Sequence, residues 1–165
     1  MRDNGFVLRA LPALALVWVC LAAQPPRAPA RDPQLAGLER QVFQLVNNER
    51  TWRGLPELQW DDRLAAVARR HASNMADRGF FSHVDPVRGD VADRLAKAGI
   101  SWSRYEENLL QEVGYEDPAR SGVLSWMASP GHRKNILDKE VTRAGVGAAR
   151  RRDGTLFLAQ EFLRP

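Results

Sequence analysis

The sequence predicts an α+β domain, a three-layer α-β-α sandwich around a small antiparallel sheet. Three observations lead there. Apolar residues recur at helical spacing from about residue 32 to 98 and again over 118–137. After residue 144 the pattern changes to small, β-branched and aromatic residues suited to strands. Asp153-Gly154 then supplies a hairpin turn signal between two such runs. Helices of one apolar face must bury it against that sheet.

The elements follow in order. Asp32-Pro33 gives an N-cap and a first-turn proline, Leu35, Leu38, Val42, Leu45 and Val46 form one stripe, and Gly54 stops the helix. Leu55 to Trp60 is extended because Pro56 biases its neighbour away from helix. Asp61 or Asp62 caps a second helix carrying Leu64, Val67, Ala68, His71, Ala72 and Met75 on one face, with Gly79 at its end. A polar loop covers Ser82 to about Gly89, and a short helix from Asp90 to Ala98 closes at Gly99. A strand is expected within Trp102 to Leu110, and a helix over Pro118 to Ala128. Ser129 is placed to cap a further helix that starts at Pro130. Ala144 to Ala148 and Thr155 to Phe162 complete the sheet.

The N-terminal 30 residues are set apart from the fold. Arg2 and Arg9 precede an apolar run, Ala10 to Ala23, and Ala28 and Ala30 suit a small-residue cleavage site. The expected organisation is a signal peptide over 1–30, cleaved after Ala30 or Ala23, then one domain over 31–165. The run is short for a membrane span, which needs ~20 apolar residues. Export to the periplasm or the medium is therefore expected, with no transmembrane segment in the mature chain. Cys20 is the sole cysteine and falls in the leader, so the mature domain must fold without disulfides. Three of the 24 Lys+Arg and one of the 20 Asp+Glu precede residue 31, leaving a mature net charge of +2. That balance does not point to nucleic acid. Arg150-Arg151-Arg152 reads as a solvated hairpin tip. A monomer is expected.

Three segments carry chemistry. Trp126 to Leu137 packs an aromatic anchor, a helix restart and His132 into a few turns. His132 then occupies a positively polarised first helical turn, which favours the neutral imidazole. Gly79-Phe80-Phe81-Ser82-His83 ends in a second imidazole at a loop mouth. It could serve a site or simply bond its own turn. Glu106-Glu107-Asn108-Leu109 supplies carboxylate and amide on an extended segment, where alternate side chains face opposite sides. His71 is expected to be a packed core histidine outside the site. No Gly-x-Ser-x-Gly elbow, phosphate loop or dinucleotide fingerprint is present, and Asp85 to Asp90 lacks the spacing of a Ca²⁺ loop.

In this order the three segments resemble the bacterial branch of the CAP superfamily: the cysteine-rich secretory proteins, antigen 5 and pathogenesis-related proteins, with their SCP-like extracellular domains. The resemblance runs from about Leu35 to Phe162. It implies a three-layer sandwich with Glu107 lining a central cavity. Relatives surround that cavity with two histidines and two acids, but Ser129 stands here where one acid is usual and Phe157 where the C-terminal strand supplies the second histidine, so His132 would have to substitute from the helix side. At most a three-residue set of His83, Glu107 and His132 then remains, competent in residue type to hold a divalent metal such as Zn²⁺. Asn108, Ser129 and Gln160 are expected to frame the cleft.

Three functions fit these residues. One is a secreted or envelope-associated binding module whose partner is an envelope component, a lipid or a protein. The alternative is a metal-assisted hydrolase using His83, Glu107 and His132. A structural envelope protein is the third.

Overall fold

Asp32 starts the first helix by accepting a hydrogen bond from the Gln34 amide at 2.9 Å, with Pro33 in the first turn. The structure, a computed structural model, describes residues 31–165. The leader and its two cleavage points lie outside the described residues. Helix α1 spans Pro33–Thr51. The two-residue strand β1, Gln59–Trp60, follows, then α2 over Asp62–Arg78. Asp61 rather than Asp62 caps α2, accepting from the amides of Arg63 and Leu64, and Gly79 ends it with a left-handed φ of 71°. Helix α3 is Val91–Lys97, opened by a reciprocal Asp90/Asp93 capping box. Strand β2 runs Arg104–Glu112, two residues later than expected at each end. Helix α4 is Pro118–Ala128 and α5 is Pro130–Ile136. Strands β3, Arg143–Arg150, and β4, Leu156–Arg164, form the hairpin around Asp153-Gly154.

The sheet order is β1-β3-β4-β2. The three long strands are antiparallel, as expected, and β1 adds a short parallel edge by pairing with β3. Side-chain alternation along β3 and β4 assigns the two layers. Ala144, Val146 and Ala148 with Leu156, Leu158 and Phe162 face α1, α4 and α5. Phe157, Ala159 and Leu163 face α2 and α3. The α2 layer sits on bare backbone, because a Cβ on Gly145 would lie 2.1 Å from the Ala65 amide nitrogen, and one on Gly147 2.0 Å from that of Arg69.

Strand β2 closes one side of the sheet, so its outer carbonyls need partners from outside the ladder. Helices α4 and α5 supply them. The fully buried Trp126 donates Nε1–H to the Leu109 carbonyl at 2.9 Å, and Asn135 donates to the Glu107 carbonyl at 3.1 Å. The conspicuous Trp126 to Leu137 motif thus works first as a cover for the β2 edge. Among the described residues no helix is long and apolar enough to cross a membrane.

Candidate functional site

Glu107 and Glu161 stand opposite one another in the β2–β4 ladder, so both project toward α2 and α3. Both are buried. Arg94, on the inner face of α3, lies between them. Its Nη2 donates to Glu107 Oε2 in a very close ion pair and reaches Glu161 Oε1 at 3.4 Å. Two buried carboxylates around one guanidinium cannot both stay ionised cheaply. Burial, and then the Glu107 charge, push Glu161 well above the usual carboxylate range. Glu161 is therefore the protonated member, and its Oε2, which receives no donor, is free to donate toward Glu107. Burial raises Glu107 as well, against the pull of Arg94.

The 82–89 loop brings His83 to this pair. Asp85 folds the loop on itself, accepting from the amides of Val87 and Arg88 at 2.8 and 3.0 Å and from Asn74 at 2.6 Å. Arg94 Nη1 donates to the His83 carbonyl at 2.8 Å. One arginine thus fixes both the backbone of His83 and the carboxylate of Glu107. His83 Nδ1 lies 2.7 Å from Glu107 Oε1. A carboxylate accepts, so the proton belongs on Nδ1 and the Nε2 lone pair is left outward. The side chain is 56 % exposed. Burial of the ring's inner part and the nearby Arg94 hold the imidazole below its ordinary range, with Glu161 opposing.

His132 approaches from the other layer. It occupies the first turn of α5, half-buried, and its carbonyl accepts from Asn108 Nδ2 at 3.1 Å. Burial first and His83 second lower its pKa. Both imidazoles are thus biased toward the neutral, electron-pair-donating form. The 82–89 loop lies on one face of β2 and α5 on the other, and the charge of His83 reaches His132 across that edge strand.

The remaining sequence candidates fall elsewhere. Asn108 faces the α5 layer, where Asn135 Nδ2 donates to its Oδ1 at 2.9 Å, so it fixes α5 rather than joining Glu107. Gln160 pairs in register with Asn108 and shares that opposite face, fully buried, with neither amide atom bonded among the described residues. Ser129 holds the N-cap position of α5, yet its hydroxyl makes no cap bond; the extended backbone and Pro130 turn the chain without it. His71 is a buried core histidine, as expected, with Nε2 3.0 Å from the Ser82 carbonyl. It also lies 3.9 Å from Glu107 Oε2, directly behind the site. Arg94 and Glu161 were missed by sequence reasoning. The available signal was a charged residue set among core-forming apolar positions, Val91-x-x-Arg94-Leu95 and Leu158 to Leu163.

Among the described residues, no three His, Cys, Asp or Glu side chains form a group that could hold a metal ion. The reason is visible at Glu107, whose two oxygens are committed to His83 and Arg94. Glu107 stands behind His83 instead of beside it.

The family model for the cysteine-rich secretory protein (CAP) family matches residues 43–162, and the chain belongs to that family. It is 38% identical over 113 residues to YkwD of Bacillus subtilis (strain 168), an uncharacterized protein, covering 68% of this chain and 43% of YkwD. An extracellular protein from Bacillus anthracis containing an SCP domain is 32% identical, with a TM-score of 0.69, over 84% of this chain and 45% of that one. The chain thus spans less than half the length of both. An outer surface protein of Borrelia burgdorferi shares the fold at 18% identity and a TM-score of 0.70, over 78% of this chain and 92% of that one.

Proposed function

We propose that this CAP-domain protein is exported and acts as a binding module, with the His83–His132 pair at the β2 edge as its recognition point. The observation that carries the reading is the hydrogen bond from His83 Nδ1 to Glu107, which fixes the ring and leaves Nε2 available, with His132 near enough for the charge of His83 to lower its pKa. A carboxylate behind a histidine, setting its tautomer and orientation, is the arrangement that prepares imidazole ligands for metal. The donor set suits a divalent ion such as Zn²⁺ held by His83 and His132, with the remaining positions left to water or to a ligand. Bound there, the ion would supply a Lewis-acid contact to an anionic or carbonyl group of the partner. The exposed Phe81 and Val84 flank His83 and add apolar surface for that partner, whether envelope component, lipid or protein.

Binding is favoured over metal-assisted hydrolysis because both Glu107 oxygens are already engaged, which leaves no general base poised at the imidazoles. Export is supported by the leader-like N-terminus and by the extracellular character stated for the Bacillus anthracis relative.

Calorimetric titration of Zn²⁺ tests the reading, with His83→Ala and His132→Ala alongside. Saturable one-to-one binding lost in both variants is expected. Absence of binding in the wild type, or full retention in either variant, overturns the paired-imidazole site.

A further inference from the structure

The outer groove between α2 and α3 gathers positive charge that the site above does not use. A small cavity there is lined by Val67, Arg70, Arg88, Arg94, Lys97 and Ala98. The buried Val67 and the exposed Ala98 add apolar surface to it, and the other four side chains are cations. Its enclosed space is about 20 Å³, enough for one water-sized group, so a ligand would seat one vertex inside and keep the rest at the mouth.

The acids near this groove are engaged elsewhere. Asp85 is spent on its own loop and on Asn74. Asp90 and Asp93 cap α3 reciprocally. Glu107 and Glu161 hold the far end of Arg94. Among the described residues Arg70, Arg88 and Lys97 form no ion pair. Lys97 Nζ instead donates to the Arg88 carbonyl at 2.8 Å, which ties the 82–89 loop to α3. A second observation points the same way. Arg94 is 3 % exposed, forms part of the cavity wall, and its Nε–H is buried without an acceptor among the described residues. A buried donor left unpaired costs stability that an oxyanion would recover.

We propose that this groove binds a phosphate group, free or carried on a larger molecule, between Arg70, Arg88 and Lys97. Two guanidinium groups and an ammonium around one cavity match the oxygens of a tetrahedral dianion better than a single carboxylate, because guanidinium forks engage two oxygens each. The groove shares Arg94 and the 82–89 loop with the His83 side of the site, but its cations are other side chains, so phosphate binding is read without the metal.

The test is titration of the protein with inorganic phosphate against sodium chloride at matched ionic strength, followed by amide NMR shifts. Saturable shifts confined to residues of α2, the 82–89 loop and α3 are expected. Arg70→Ala/Arg88→Ala should weaken affinity about tenfold or more. Arg152→Ala/Lys139→Ala, an equal loss of charge on another surface, should leave it unchanged. Shifts that never saturate, or an equal loss in both double variants, overturn the site and leave general attraction by net charge. A second arm assigns the source. Co-sedimentation with vesicles containing phosphatidic acid, lost in Arg70→Ala/Arg88→Ala, makes it a lipid headgroup. Retained phosphate binding without co-sedimentation makes it a soluble phosphate. Thermal melts of each variant separate loss of binding from loss of fold.

Discussion

Glu107 orients His83: the 2.7 Å contact between Oε1 and Nδ1 fixes which imidazole nitrogen carries the proton and which faces outward. Glu107→Gln retains the shape but puts an amide where both His83 and Arg94 need an acceptor. A donor then faces a donor on at least one side. Loss of such a supporting partner typically weakens a metal ligand set by ~10–100-fold. The same loss is expected for Zn²⁺ binding by Glu107→Gln, read by calorimetry at neutral pH. Unchanged affinity in a folded variant would show that Glu107 does not orient the ligand.

Arg94 carries more of the structure than any other charged group near the site. Removing it strands a buried Glu107 carboxylate and releases the His83 carbonyl in one step. Breaking a buried pair from one side typically costs ~3–5 kcal/mol, and Arg94→Ala is expected to fall in that range by urea unfolding. Combined with Glu107→Gln the cost should be smaller than the sum, since the charge that Arg94 neutralises is then already gone. Additive costs would mean the two residues act independently.

Much of this architecture is legible in the sequence because local signals agree with tertiary need. Asp32, Asp61 and Asp90 each precede an apolar stripe and each caps a helix. Asp153-Gly154 sits at the hairpin it predicts. The site is less legible. His83 and Glu107 are 24 residues apart and meet only because the Asp85 turn folds the loop back over β2. Glu161 pairs with Glu107 through strand register, which composition cannot reveal. Gln160 and Glu161 are neighbours in sequence but face opposite layers, so of the two only Glu161 shares the face of Glu107. Ser129 shows a different limit. Its position as N-cap is correct, yet the helix starts without its hydroxyl.

Gly147 marks the closest approach of α2 to the sheet. A methyl there would meet the Arg69 amide nitrogen at 2.0 Å and the Ala68 carbonyl carbon at 2.2 Å, both backbone atoms that cannot swing aside. Overpacking a core typically costs ~1–3 kcal/mol, occasionally more. Gly147→Ala is expected at the upper end or beyond, and it should also weaken Zn²⁺ binding, since lifting α2 carries the following 82–89 loop away from Glu107. Gly37→Ala serves as the control, because nothing lies near its added Cβ. A helix-interior alanine there should be neutral or stabilising, by roughly 0.5–1 kcal/mol. Equal urea midpoints for the two variants would contradict the packing.

His71 makes the fold sensitive to acid. Burial is the main cause and Arg94 the next of the fall in its pKa from 6.5 to about 4, with the Ser82 carbonyl and Asp85 opposing. Its neutral form is stabilised by folding, so the unfolded chain binds the proton more tightly. This contribution is fully present above pH 6.5 and is lost as pH falls toward 4. The shift corresponds to roughly 3 kcal/mol. Glu161 acts with the opposite sign: its raised pKa stabilises the fold below the ordinary carboxylate value and the benefit is lost as pH rises. The two are separated by variants. Urea unfolding of wild type and His71→Gln at neutral pH and near pH 4 should show the stability gap between them narrowing by up to about 3 kcal/mol in acid. Glu161→Gln should instead gain on the wild type as pH rises, since a neutral amide carries no buried charge. A gap for His71→Gln that stays constant with pH would mean that His71 titrates alike in the folded and unfolded chain, and the acid sensitivity would then belong to groups such as Asp85, whose pKa is held down by its hydrogen bonds against burial.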